Sequence, residues 1–191
     1  FKGIVEGDEL FLAESQKGSK FLDRAPRKRG GVTGKGISDD HIAVVAACDR
    51  SGNTCMKVAG RGRVTKAAVS RTIQGRIGKN NILCSDAHAS YAAFAKEEGI
   101  VHHALNASKG ERAKDKAYHI QHATNLCSRF RKWIGNLGGV ATKYLQNYLN
   151  WFVALETLKG KTDPYAQMDK WLTSDTNSWN RWKLIKTGTL S

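Results

Sequence analysis

Two aspartates, Asp8 and Asp86, lie in apolar, strand-like runs of the sequence. Asp8 falls inside the run 3–11, and Asp86 closes the run 81–86. A carboxylate in such a position is costly unless something pairs with it. Two of them on separate strands can converge on one hard divalent cation, which takes oxygen ligands. A pair of such ions supports phosphodiester chemistry and needs from the protein mainly the carboxylates that hold it.

The strand pattern also sorts the acidic neighbours of Asp8. Side chains alternate between the faces of a strand, so Glu6 shares the face of Asp8 and is a candidate helper. Glu9 falls on the other face and is predicted to be a surface residue or one that supports the site from behind. His88, two residues after Asp86, is expected near the same centre. The competing interpretations are a turn or salt-bridge aspartate for Asp8 and a helix N-cap for Asp86.

A third carboxylate is missing from the helix that would complete such a site. Between Asp115 and Glu156 the sequence contains no Asp or Glu, so the helix predicted over 119–137 offers none. Thr124 and Arg131 are seven residues apart and therefore share a face of that helix. Thr124 can offer only a neutral hydroxyl oxygen, whereas Arg131 can hold a phosphate as a bidentate donor.

The chain is strongly basic, with 31 Lys and Arg against 17 Asp and Glu and a formal net charge of +14. Residues 17–36 carry seven basic side chains and one acid, and residues 57–79 carry seven and none. Such clusters repel themselves unless a polyanion relieves them, which favours a phosphate-rich partner over a merely basic surface. An acidic metal site on a basic body indicates an enzyme that cuts or joins nucleic acid.

Length and composition also limit the other classes of protein to which the chain could belong. A length of 191 residues suits one domain with a small appendage. No apolar run approaches the roughly 18 residues of a membrane span. The four cysteines form no C-x-x-C pair, so no zinc ribbon is expected within the chain. Cys48, Cys55 and Cys84 lie in apolar runs and are predicted to be small buried hydrophobes of a reducing compartment.

Four histidines cluster in sequence without a recognised zinc-ligand spacing, which favours DNA contacts or ordinary surface positions over a zinc site. They are His102, His103, His119 and His122.

Periodicity predicts the elements that must hold these residues. Strands are predicted over 3–11, 41–48, 54–59, 81–85 and 101–105. Helices are predicted over 66–77, 88–98, 119–137 and 141–158. Residues 12–40 form a basic insertion without periodicity, and residues 106–118 form a polar loop. This order predicts an α/β fold, a mixed sheet flanked by helices, with its site at the carboxyl ends of strands.

Five stretches of the sequence are distinctive as motifs. They are GIVEGDELF (3–11), RKRGG (27–31), CSDAHASY (84–91), YHIQ (118–121) and GGVATKYLQNYL (138–149). On these stretches the chain resembles DDE-type transposases of bacterial insertion sequences, whose catalytic domain has a ribonuclease-H-like fold. The resemblance covers about residues 1–155. The resemblance is most specific to the ISXO-like group, whose complete members carry an N-terminal zinc ribbon. An N-terminal module is therefore expected before residue 1.

The resemblance implies that Asp8 and Asp86 are the first two members of a triad that binds two Mg²⁺ or Mn²⁺ ions. The third member, an Asn or Glu in the family, lies four residues before Ser128, and this position is Thr124 here. Asn125 could replace it only with a shift of helical register. The implied reaction cuts an element end and joins the freed 3′ hydroxyl to target DNA. The departure at Thr124 predicts a copy impaired at its third ligand.

Basic side chains are expected to hold phosphates without reading sequence. They are Arg27, Lys28, Arg29, Arg61, Arg63, Arg129, Arg131, Lys132 and Lys143. The expected partners are element-end and target DNA, bound by a homodimer or larger assembly in the bacterial cytoplasm, at the nucleoid and away from membranes. Residues 1–158 would form the catalytic domain and residues 159–191 a partly helical tail. Two alternatives stay open: another ribonuclease-H-like nuclease, which cleaves without strand transfer, and a non-catalytic DNA-binding remnant.

Overall fold

Among the described residues, five strands build the main sheet. They are β1 (Ile4–Ala13), β2 (His41–Asp49), β3 (Thr54–Arg61), β4 (Ile82–Asp86) and β5 (Val101–Leu105). Their order across the sheet is β3–β2–β1–β4–β5. β2 runs antiparallel to β1 and β3, whereas β4 runs parallel to β1 and β5. The mixed sheet predicted from the apolar runs is confirmed.

This computed structural model describes residues 1–25, 27, 36–106, 109–111, 113–159, 163 and 165. The chain divides into two units, Phe1–Val153 and Ala154–Ser191. The first unit holds the sheet and the packing described below. The tail predicted over 159–191 lies almost wholly outside the described residues. No helix in the described ranges is both long and apolar enough to cross a membrane.

Four helices accompany the sheet. They are α1 (Lys66–Ile73), α2 (Ala89–Glu98), α3 (Gln121–Gly135) and α4 (Leu145–Leu158). α1 and α2 close one core against the sheet, and α3 and α4 close a second core on the other face. β2 lies between the cores: Val45 belongs to the first and Val44 to the second. This burial on both faces explains its continuous apolar run.

One predicted helix is too long. The helix predicted over 66–77 ends at Ile73, because Gln74 leaves the helical conformation with a ψ of 140°. Gly75 follows with a φ of +74°, a left-handed conformation that favours glycine. Periodicity missed this end because Ile77 is buried and continues the apolar pattern beyond the helix.

The segment predicted as a polar loop, 106–118, contains part of a small hairpin instead. Its strands are β6 (Ala113–Lys114) and β7 (Tyr118–His119). Lys116 adopts a φ of +55° in the turn, a conformation that lysine rarely adopts. No turn motif in the sequence predicts it. Because β7 includes His119, α3 begins at Gln121 rather than at 119.

The second long helix also starts later than predicted. A 3-10 turn over Thr142–Tyr144 precedes α4, so the α-helix itself begins at Leu145 rather than at 141. All four cysteines are buried with free thiols, and the prediction of small buried hydrophobes is confirmed.

Candidate active site

Parallel pairing of β1 with β4 brings the two predicted aspartates side by side. Glu6 lies opposite Cys84 in this pairing, and each aspartate follows two residues later on its own strand. Side chains two residues apart share a face of a strand, so Asp8 and Asp86 meet at the ends of the paired segment. The pKa of Asp8 is raised, first by its burial and also by the negative charge of Asp86.

Helix α3 covers this pair with the two residues predicted to share its face. The Thr124 side chain makes a hydrogen bond to Asp8, and the positive charge of Arg131 acts on the same carboxyl group; both oppose the rise in its pKa. The backbone N–H of Glu9 also donates to Asp8 Oδ1 at 2.9 Å. Thr124 therefore lies beside Asp8, and its role as the third member of the triad stays a prediction.

Asn125, the alternative to Thr124, is exposed on the next position of α3. Both residues line a cavity of about 540 Å³ with Leu105 and Ser128. Thr124, not Asn125, is the residue that bonds to Asp8, so α3 shows no shift of register toward Asn125.

Glu6 shares the face of Asp8, as predicted, but its carboxylate is committed to α3. Its Oε2 accepts hydrogen bonds from the backbone N–H groups of His122, at 2.8 Å, and Ala123, at 3.3 Å. The N-cap residue Ile120 has no side-chain cap. Glu6 therefore satisfies the free N–H groups of this helix terminus from a different element of the fold.

The other oxygen of Glu6 is equally occupied. Oε1 lies 2.8 Å from His122 Nδ1, 3.3 Å from His119 Nδ1 and 3.6 Å from Arg50 Nε. The Glu6 side chain is only 1% exposed. Glu6 is predicted to help the metal site, but both of its carboxylate oxygens are already bonded within the protein.

Glu6, His119 and His122 also form the one group in the described ranges with three His, Cys or carboxylate ligand atoms all within 4.8 Å of one another. Imidazole and carboxylate groups can bind zinc. Here Arg50 adds positive charge beside the carboxylate, which opposes a cation. The sequence cluster of histidines is therefore split, since His102 bonds elsewhere, with its Nε2 2.9 Å from Ser85 Oγ.

Of the two predictions for Glu9, a surface residue or one that supports the site from behind, its half-buried position favours the second. Glu9 points to the opposite face from Asp8, but it is half-buried, and its Oε1 is fully buried with no hydrogen-bond partner among the described residues. Burial raises the pKa of Glu9 to about 8, with further contributions from the charges of Asp86 and Asp8. Glu9 shares a cavity of about 170 Å³ with Asp86, His88 and Arg63.

His88, not Asp86, caps the helix that follows. The His88 Nδ1 atom accepts a hydrogen bond from the Ser90 N–H at 3.4 Å at the start of α2. Asp86 Oδ1 accepts one from the His88 N–H at 3.2 Å. The N-cap interpretation of Asp86 is therefore wrong, and His88 stands beside the acidic pair as expected.

Tyr91 is a residue whose role the sequence alone did not reveal, although it belongs to the CSDAHASY motif. It is fully buried, and its hydroxyl has no hydrogen-bond partner within the described ranges of the chain. Its ring packs on β1 at Gly7, where a Cβ atom would lie 2.8 Å from Cε1. Burial raises its pKa well above the ordinary value, as do the charges of Glu9, Asp8 and Asp86.

The predicted DNA-binding residues differ in availability. Arg27 pairs with Asp40 at 3.2 Å, and Arg61 pairs with the buried Glu14. Arg129 is half-buried. Lys28 and Arg29 lie outside the described residues. The exposed members are Arg63, Arg131, Lys132 and Lys143, together with the outer part of Arg61.

The family model described as "ISXO2-like transposase domain" matches residues 1–153. The chain belongs to this transposase family. The predicted resemblance to DDE-type transposases is thereby confirmed, and the mixed sheet with its flanking helices is the ribonuclease-H-like arrangement expected for the transposase domain.

One similar solved structure is described as "Crystal structure of a pre-cleavage Mos1 transpososome". It is 13% identical to this transposase domain chain, with a TM-score of 0.33, and the match covers 84% of this chain and 56% of that chain. Among curated proteins, none matches the sequence.

Proposed function

We propose that this transposase domain cuts phosphodiester bonds at the ends of an insertion sequence and joins the freed 3′ hydroxyl to target DNA. The observation that carries the proposal is the meeting of Asp8, Asp86 and Thr124, which come from β1, β4 and α3. Membership of the transposase family supports this class of activity. The strongly basic composition suits a DNA partner.

The donor set suits divalent metal ions. Carboxylate and hydroxyl oxygens are ligands that Mg²⁺ and Mn²⁺ accept. Asp86 raises the pKa of its neighbour Asp8, and the buried Oε1 of Glu9 has no partner among the described side chains, so this cluster favours an incoming cation. Two ions held by Asp8 and Asp86 would supply charge neutralisation at the phosphate and activation of the attacking oxygen.

The protein's own residues have separate tasks around that centre. The Thr124 hydroxyl orients the Asp8 carboxylate by its hydrogen bond. The exposed guanidinium of Arg131, whose charge reaches Asp8, can bind a phosphate through two parallel hydrogen bonds. The exposed Lys132 and Lys143 would hold the DNA backbone. Because Thr124 offers a hydroxyl where family members carry the longer amide of Asn or carboxylate of Glu, weak activity is expected.

The test is cleavage and strand transfer on DNA carrying the element's ends, with Mg²⁺ or Mn²⁺ and the full coding sequence of the protein. Asp86→Asn should lower activity at least about 100-fold, since a lost metal ligand removes several kcal/mol of transition-state stabilisation. Thr124→Asn should raise it. Asp115→Asn is the matched control, because Asp115 is an exposed turn residue with a φ of +51°, which Asn tolerates.

Each outcome separates the alternatives. Metal-dependent cutting without strand transfer would identify another nuclease of the same fold. Tight, salt-sensitive DNA binding without cutting, even in Thr124→Asn, would identify a DNA-binding remnant. A dimeric or larger assembly acting in the bacterial cytoplasm stays an expectation of the resemblance.

A further inference from the structure

Two buried polar atoms near the candidate active site lack partners. They are Glu9 Oε1 and the Tyr91 hydroxyl, which make no hydrogen bond to any group in the described ranges. Tyr91 is 0% exposed, so bulk water does not satisfy its hydroxyl. Buried polar atoms in proteins are nearly always bonded, and an orphaned one indicates an ordered water or ion.

Both atoms lie on the α2 side of β1. The Tyr91 ring packs against Gly7, and Glu9 is the next residue of β1 on that face. Of the acidic groups, Glu9 raises the pKa of the Tyr91 hydroxyl most, ahead of Asp8 and Asp86. The Tyr91 hydroxyl therefore lies within the electrostatic influence of the acidic cluster.

The space beside Glu9 can hold an ion. Glu9 and Asp86 line the same cavity of about 170 Å³, with His88 and Arg63 as its other polar walls. A water molecule occupies roughly 30 Å³ of liquid volume, so this cavity has room for a cation and several waters. Arg63 is exposed, and its positive charge lines the same cavity.

Helix α3 brings no anionic ligand to the site. Thr124 brings no charge to Asp8, and α3 contains no carboxylate. Glu9 is a further carboxylate near this pair, and it lines a cavity with Asp86. On the basis of the proposed function, we propose that Glu9 is a direct ligand of a divalent cation held with Asp86 in the cavity that the two carboxylates line. The Tyr91 hydroxyl, which is unpaired among the described residues and lies on the same side of β1, reaches Glu9 through an ordered water and so helps to orient it.

The test measures Mn²⁺ binding without DNA, by the loss of the free-ion electron paramagnetic resonance signal. Glu9→Gln should weaken Mn²⁺ binding at least about tenfold, as loss of a metal-supporting group does. Glu9→Asp, which retracts the carboxylate by one methylene, should also weaken it. Tyr91→Phe should cause a smaller loss because its ring still packs on Gly7. Glu14→Gln, a buried carboxylate paired with arginines, should leave binding unchanged.

The same variants separate this inference from the proposed function. If Asp86→Asn loses Mn²⁺ while Glu9→Gln and Glu9→Asp bind it like Glu14→Gln, the metal centre stands and the role of Glu9 is refuted. If no variant changes the affinity, both proposals fail. A thermal melt with Mn²⁺ gives a second readout: the ion should raise the melting temperature of the wild type and of Glu14→Gln but not of Glu9→Gln.

Discussion

Glu6 Oε1 and His122 Nδ1 lie 2.8 Å apart and join β1 to α3 across 116 residues of sequence. The second oxygen of the same carboxylate accepts two backbone N–H groups in the first turn of α3. Asp8 and Thr124 each follow two residues later on these elements. One buried side chain therefore fixes where α3 begins over the sheet, and with it the place at which Thr124 meets Asp8.

Replacing Glu6 tests this anchor. Glu6→Gln turns an amide group toward a site filled with donors, so we expect a loss of about 2–4 kcal/mol in the free energy of unfolding. Urea denaturation measures it. Glu97→Gln removes the exposed ion pair with Lys66 and should change stability by less than about 0.5 kcal/mol. Equal effects of the two substitutions would show that Glu6 does not anchor α3.

The contact of Tyr91 with β1 predicts a steric requirement at Gly7. A methyl group there would lie 2.8 Å from Tyr91 Cε1, so Gly7→Ala should cost about 1–3 kcal/mol of stability through overpacking. The control is Gly78→Ala, where the added Cβ meets no atom within 4 Å. Thermal unfolding compares the two variants, and a Gly7→Ala protein as stable as Gly78→Ala would disprove the requirement.

A side chain of α4 completes the hydrogen bonding of the edge strand β3. Gln146 Oε1 accepts from the Val58 N–H at 2.9 Å, and its Nε2 donates to the Met56 carbonyl at 3.3 Å. Gln146→Ala should lose about 1–2 kcal/mol, because a half-buried N–H is left unpaired. Hydrogen exchange at Val58 should accelerate with it. The exposed neighbour Asn147, changed to Ala, should leave both quantities unaltered.

His102 predicts a dependence of stability on pH. Its burial, together with the neighbouring His103, lowers its pKa below the usual 6.5. The unfolded chain then binds a proton more readily than the folded protein, so stability is lost as pH falls below 6.5. His102→Gln should flatten this loss relative to the wild type in urea titrations at about pH 7.5 and about pH 5, on either side of the ordinary histidine pKa. Parallel curves would exclude His102 as the cause.

The sheet is predicted well from the sequence because the patterns that encode its strands are local. The apolar run of β2 states its burial on both faces, and the spacing of Asp8 and Asp86 from the ends of their runs predicts their meeting. Alternation along β1 likewise assigns Glu6 and Glu9 to opposite faces. These features depend on a few neighbouring residues and on the period of a strand.

The errors arise where distant elements decide the outcome. The face of Glu9 is predictable, but its surroundings include Asp86 and Arg63, which come from distant parts of the chain. The commitment of Glu6 to α3 depends on a helix that starts at Gln121, after a hairpin whose turn contains Lys116 at positive φ. No periodicity encodes these contacts, so the roles of both glutamates emerge only from the folded chain.

The anchor between β1 and α3 has a consequence for engineering. Since Glu6 holds the start of α3 from the strand that also carries Asp8, this contact, rather than the length of the connection between β5 and β6, sets the spacing of the reacting groups. Doubling the length of a flexible loop costs only about 0.6 kcal/mol of closure entropy. A reporter or an affinity module inserted after Asn106 should therefore leave the geometry around Asp8 in place. This connection is thus a suitable site for inserting a second domain.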